Sequence, residues 1–136
     1  PNPRGYFLYA EGRGVVVVVG VASCGVRRVV AACGVRVCLP GLRRVCAARG
    51  WFMSFAGVIT FASAEGLREA LRTVPDDLLL VETDAPYLTP KPNRGRVNAT
   101  YLMPWTVRRM AEERGVDVEK LCDDIVANTH GAFGQW

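Results

Sequence analysis

Between Gly12 and Gly50 the chain has no Asp, Glu, Lys, Asn, Gln or Thr; 39 residues are written with only Gly, Arg, Val, Ala, Cys, Leu, Pro and Ser. That excludes helices capped by an acid or amide, and turns built on Asn or Asp, from the stretch. Histidine is almost missing: His130, expected at the surface near the end of a last helix, is the only one in 136 residues. The cysteines are Cys24, Cys33, Cys38, Cys46 and Cys122. They form no C-x-x-C pair, which excludes a zinc ribbon or finger, and their odd number argues against a closed disulfide framework. Unpaired thiols in a reducing, cytoplasmic setting are expected. No apolar run reaches the ~20 residues of a membrane span. The uncharged run Gly14–Val26 is too short, and no membrane partner is expected. That run ends in Val21-Ala22-Ser23-Cys24, which has the look of a lipoprotein signal, but the residues after Cys24 do not resemble a mature domain start.

What is present divides into two unlike pieces, 1–46 and 47–136. The net charge of +4 is unevenly distributed. Residues 1–64 carry eight arginines against one acid, Glu11, whereas residues 65–136 carry nine Lys/Arg against twelve Asp/Glu. The first piece is a valine-rich, low-complexity segment expected to be irregular, with strand propensity at Val15–Val19, Val26–Val30 and Val35–Leu39. Either it is a variable βαβ region, or it was never selected for this fold, as after a slipped reading frame in a GC-rich gene. Arg43–Arg49 reads as the end of a short helix running into Gly50.

The second piece has ordinary punctuation. Trp51–Phe61 (WFMSFAGVITF) suits a strand buried on both faces that passes into a loop at Gly57. Ser63 reads as a helix N-cap, followed by Leu67, Ala70, Leu71 and Val74 at helical spacing, and Pro75 ends that helix. Leu78–Glu82 is the next strand. The connection between the two strands is long enough for a right-handed parallel crossover and too long for a tight hairpin. Thr89–Thr100 (TPKPNRGRVNAT) is an irregular loop. Pro104 then opens a helix with Val107, Met110 and Ala111 on one face, closed by Gly115. Asp117 caps a last helix whose apolar side is Val118, Leu121, Cys122 and Ile125, with Phe133 expected to fold back as an anchor.

The most informative stretch is Val81-Glu82-Thr83-Asp84-Ala85-Pro86-Tyr87-Leu88. An acid stands where the backbone leaves a buried strand, and a proline forbids the ladder to continue. In α/β enzymes the active site gathers at the carboxyl ends of strands. Taken with GWFMSFAGVITF, LLLVETDAPYLTP, RGRVN and ANTHGAFG in that order, the chain over about residues 47–136 resembles the C-terminal third of the TatD family of metal-dependent deoxyribonucleases.

The resemblance implies an α/β fold. The chain would form part of a TIM-type (β/α)8 barrel, with Gly50–Ala56 as the seventh strand and Leu78–Glu82 as the eighth. It implies a divalent metal ion at the barrel's carboxyl face and DNA as partner and substrate. Asp84 matches the family aspartate that serves the metal and the catalysis, a role a carboxylate fills by holding the ion and taking a proton from its water. Glu82, two residues earlier, shares its face and supports it. Arg94, Arg96 and Asn98, on the loop after the strand, are candidates for DNA backbone contact, and Tyr87 for stacking on a base. Ser54 and Thr60 match family positions too, though packing and strand-end hydrogen bonding explain them as well.

Against this stands what the chain lacks. The family's histidine ligands come from earlier strands, and none is here; the stretch Val35–Gly41, with Cys38, holds none. A barrel of this type takes about 250 residues. The expected function is therefore a TatD-like hydrolysis of DNA phosphodiesters that is incomplete in this chain, with most of the metal's ligands absent. The alternatives are a non-catalytic piece that binds no metal, and a related hydrolase such as an aminoacyl-tRNA deacylase. Open strand edges would favour self-association.

Overall fold

A computed structural model of the chain describes residues 6–11, 14–19, 29–32 and 46–134. The expected strand at Val35–Leu39, the Val35–Gly41 stretch with Cys38, and the thiols of Cys24 and Cys33 lie outside the described residues. Five strands form one sheet in chain order: β1 (Tyr6–Glu11), β2 (Gly14–Val19), β3 (Val29–Ala32), β4 (Phe52–Phe55) and β5 (Leu79–Val81). β1 and β2 are antiparallel, with Tyr6 opposite Val19 and Glu11 opposite Gly14, and β2 is antiparallel to β3. In the segment expected to be irregular, residues 6–11, 14–19 and 29–32 are strands, and two of these overlap the runs Val15–Val19 and Val26–Val30 that carried strand propensity. β2 lies on a valine run, whose branched side chains suit extended backbone.

β3, β4 and β5 run parallel, with Val29 opposite Phe52, Met53 opposite Leu79 and Ser54 opposite Leu80. A helical turn at 46–48 leads into Gly50, whose φ of +62° is a conformation glycine takes without steric cost. β4 is buried on both faces, as the apolar run required. The passage into a loop expected at Gly57 is a 3-10 turn, Gly57–Thr60. The crossover to β5 is helix α1 (Glu65–Thr73), which buries Leu67, Ala70 and Leu71. Ser63 does not cap it. The cap position belongs to Ala64, which is buried and offers no side-chain bond, so packing took the place of polar capping.

A 3-10 turn, Thr100–Leu102, leads into helix α2 (Met103–Arg114), with Pro104 in its first turn. Gly115, at φ +64°, closes α2 by donating to Ala111 O and Glu112 O. Helix α3 (Val118–Phe133) starts where the Asp117 carboxylate accepts the N–H groups of Glu119 and Lys120 at 2.9 and 3.1 Å. Its buried face is Leu121, Ile125, Asn128 and Ala132, spaced i, i+4, i+7, i+11. Val118 and Cys122, expected on that face, are exposed, and so is Phe133, expected as an anchor.

Phe52, Phe55, Ile59, Leu67, Leu71, Leu79 and Met110 form the centre of the core. Each such side chain stabilises the fold by about 1.5–3 kcal/mol relative to exposure. The Asn128 amide pins the start of β5, donating to Asp76 O at 2.7 Å and Leu79 O at 2.9 Å.

Candidate functional site

Because β4 and β5 are parallel, the loops that follow them leave at the same end of the sheet. The ladder continues one residue past β5, with Glu82 N–H donating to Phe55 O at 3.0 Å, and there the chain departs. Asp84 sits at the departure. The next turn is closed by Tyr87 N–H donating to Asp84 O at 2.7 Å, around a cis Ala85–Pro86 bond. Asp84 is partly buried, and burial holds its carboxyl above the usual carboxylate range. Glu82 is deeper. Its carboxyl is pushed up to about 7, chiefly by burial; a hydrogen bond with Ser54 works against the rise and the charge of Asp84 adds to it. Ser54, a candidate matched to the family, thus does its work from β4 against Glu82. Among the described residues, Glu82 Oε1 and Asp84 Oδ2 are buried and accept no hydrogen bond.

The two loops are fastened to each other. Gly57 lies so close under the second loop that a Cβ there would stand 2.6 Å from Leu88 O and 3.0 Å from Pro90 Cδ. Thr60 Oγ1 donates to Gly57 O at 2.7 Å and accepts from Lys91 N–H at 2.9 Å, which gives this second family-matched residue a structural role. The Arg94 guanidinium lies 4.1 Å from the centroid of the Phe61 ring. Within the second loop, Thr89 Oγ1 donates to Arg96 O at 2.6 Å. Asn98 is buried; its amide donates to Tyr87 O at 2.7 Å, and its N–H to Pro86 O at 3.0 Å. Asn98 therefore holds the Pro86–Tyr87 turn, and its side chain is committed to the loop. Arg96 and Tyr87 are exposed beside it.

Arg68 had no signal in the sequence beyond a charged position on a helix, yet it is buried and braces the first loop. Its guanidinium donates to Ile59 O at 3.2 Å, Phe61 O at 2.6 Å and Ala62 O at 3.2 Å, and its charge meets Glu65 and Glu113. Glu113, on α2, also pairs with Arg72 and Arg109. His130, expected at the surface, is partly buried in the last turns of α3.

The carboxylates of Glu82 and Asp84 each keep an oxygen that no described donor claims, a feature suited to a cation. A divalent ion needs more: zinc takes four ligands, magnesium and calcium six or more. Among the described residues no three His, Cys, Asp or Glu side chains converge. The described donors do not by themselves complete a metal centre. Also among the described residues, no helix is long and apolar enough to cross a membrane.

Residues 41–134 match the model of a family described as TatD-related DNase. An uncharacterised metal-dependent hydrolase, TatD of Mycobacterium tuberculosis (strain H37Rv), is 43% identical over 93 residues, covering 68% of this chain and 35% of the relative. YcfH of Escherichia coli K12, likewise named an uncharacterised metal-dependent hydrolase, is 50% identical over 79 residues, covering 58% of this chain and 30% of its own length. The chain thus spans about a third of the length of these relatives. Among solved structures, YjjV, a TatD homologue from Escherichia coli K12, superposes with a TM-score of 0.60 at 24% identity, over 66% of this chain and 36% of that one. A TatD family hydrolase from Entamoeba histolytica gives a TM-score of 0.58 at 14% identity, over 68% and 38%. The α/β fold is the one these structures share.

Proposed function

Since the chain belongs to the TatD-related DNase family, we propose that it forms the Asp84-bearing part of a metal-dependent hydrolase that cleaves phosphodiester bonds of DNA. On this reading β4 and β5 are the seventh and eighth strands of a (β/α)8 barrel. Asp84 is the catalytic carboxylate and a metal ligand, and Glu82 supports it from the barrel interior. Arg94 and Arg96 meet the DNA backbone, Tyr87 a base, and Asn98 keeps Tyr87 in place. DNA is the partner, in the cytoplasm.

The observation that carries the reading is Asp84 at the carboxyl end of β5, with Oδ2 buried and unclaimed among the described residues. A carboxylate is costly to bury without a partner, so a position that keeps one that way is suited to charge chemistry. The test incubates the 136-residue chain with DNA and Mg2+ or Mn2+, beside Asp84→Ala. Cleavage that stops with EDTA and falls by ~10²-fold or more in Asp84→Ala supports the proposal. Cleavage that survives the substitution comes from a contaminant and sinks it.

A second reading is favoured by the lack of a third ligand beside Glu82 and Asp84 among the described residues. In it the chain is a non-catalytic piece of such an enzyme. Titration calorimetry with Mn2+ separates the two, since this reading expects neither heat of binding nor cleavage.

A further inference from the structure

Residues 85–111 contain Lys91, Arg94, Arg96, Arg108 and Arg109 and no acid, whereas residues 112–124 hold six acids against Arg114 and Lys120. Within the basic stretch only Arg109 is paired with acids among the described residues, Glu112 and Glu113. The same stretch exposes large flat side chains. Tyr87 and Tyr101 are each 74% exposed, and Trp105 is 39% exposed. Tyr101 lies on the 3-10 turn that runs into α2, and Trp105 follows in the first turn of α2, so both exposed rings belong to the helix start. The Arg108 guanidinium lies over the Trp105 ring, 5.3 Å from its centroid. Tyr87 is tied to this region through Asn98, which grips its carbonyl and stands three residues before Tyr101.

Exposed rings beside unpaired guanidinium groups suit a polyanion that carries flat rings of its own. Single-stranded nucleic acid has both, because its bases are free to stack on a protein ring; in a duplex they are already stacked inside. We propose that Tyr101, Trp105 and Arg108, together with Tyr87, form a binding surface for a single strand of nucleic acid. The rings take the bases and the cations the phosphates. This rests on the nucleic-acid reading of the neighbouring site and adds three residues that the sequence motif does not contain.

The test measures binding of a labelled 15-nucleotide oligothymidylate to the full chain by fluorescence anisotropy. EDTA is present, so neither metal nor cleavage enters the measurement. Failure here leaves the hydrolysis proposal standing, and failure of hydrolysis leaves this one standing. Tyr101→Ala and Trp105→Ala are each expected to weaken binding roughly 5- to 150-fold, with unchanged circular dichroism because both side chains are exposed. Arg108→Ala is expected to lower the log–log salt slope by about 0.7. An oligouridylate bound with the same sensitivity to these variants supports the same surface. Three results overturn the proposal: affinity unchanged in both ring variants, a duplex of equal length bound as tightly, or a chain dimer that Trp105→Ala dissociates, which would mean that a second copy covers the face.

Discussion

Glu82 and Asp84 stand two residues apart at one strand end, and burial raises the affinity of both carboxyls for protons. For Glu82 the consequence can be given a sign. From the ordinary carboxylate range up to about 7, the folded protein keeps a proton that the unfolded chain has released. Stability therefore falls as pH rises through that window and is level above it. In metal-free buffer, urea denaturation should find Glu82→Gln more stable than the parent at pH 8, by about 2–3 kcal/mol, and little different at pH 4.5. Equal effects at both pH values would show that Glu82 is not a buried acid. Gly57 gives a second prediction at this scale. A Cβ there would meet backbone, Leu88 O at 2.6 Å, which cannot step aside as a side-chain tip can. Gly57→Ala should cost about 1–3 kcal/mol, with hydrogen exchange at Leu88–Lys91 faster than in the parent. The end of the strand before Asp84 was legible in the sequence, because the proline two residues on cannot give an N–H to a ladder. Arg68 was not legible, since its meaning lies in the carbonyls of Ile59, Phe61 and Ala62, and nothing in the spelling of a helix reveals which carbonyls will come near it.

The elements around the site work as a clasp. Arg68 on α1 holds the 57–62 loop, Thr60 and Phe61 on that loop receive Lys91 and Arg94 from the next, and Glu113 on α2 anchors Arg68 from behind. Arg68→Met removes three bonds to backbone, the one to Ile59 O fully buried, and leaves Glu113 short of one partner. It should cost about 2–4 kcal/mol by urea denaturation. Arg68→Lys should recover little of the loss, because an ammonium cannot fork to three carbonyls. A lysine variant as stable as the parent would show that the charge alone matters. Much of this level was readable beforehand. Both parallel strands, the crossover helix, Pro104 in the first turn of α2, Gly115 at its end and the Asp117 cap follow from local signals that tertiary packing did not override. The apolar side of α3 was misplaced, because Val118 and Cys122 make a neighbouring stripe of equal apolarity, and only the position of β5 decides which stripe is covered. Asn128, a polar residue inside the covered stripe, is unreadable until the carbonyls of Asp76 and Leu79 are in place.

At the scale of the molecule, β5 ends the sheet, and its outer side has no strand partner among the described residues. Unpaired N–H and C=O groups along such an edge are a template for another chain. Sedimentation of the full chain should show a mass that rises with concentration, and a single monomeric species at all loadings would refute edge pairing. The extent of the family match, 41–134, explains why this part of the fold was legible and the first strands less so. Valine runs announce extended backbone but not a neighbour, so the strand order there is set by pairing that the local sequence does not encode. The pin from Asn128 to Leu79 spans 49 residues of sequence. At ribosomal rates of about 5–20 residues per second, β5 is made roughly 2–10 s before the amide that fastens it. The strand that aims Asp84 therefore leaves the ribosome before the residue that fastens its start, and until Asn128 follows it lacks that pair of hydrogen bonds.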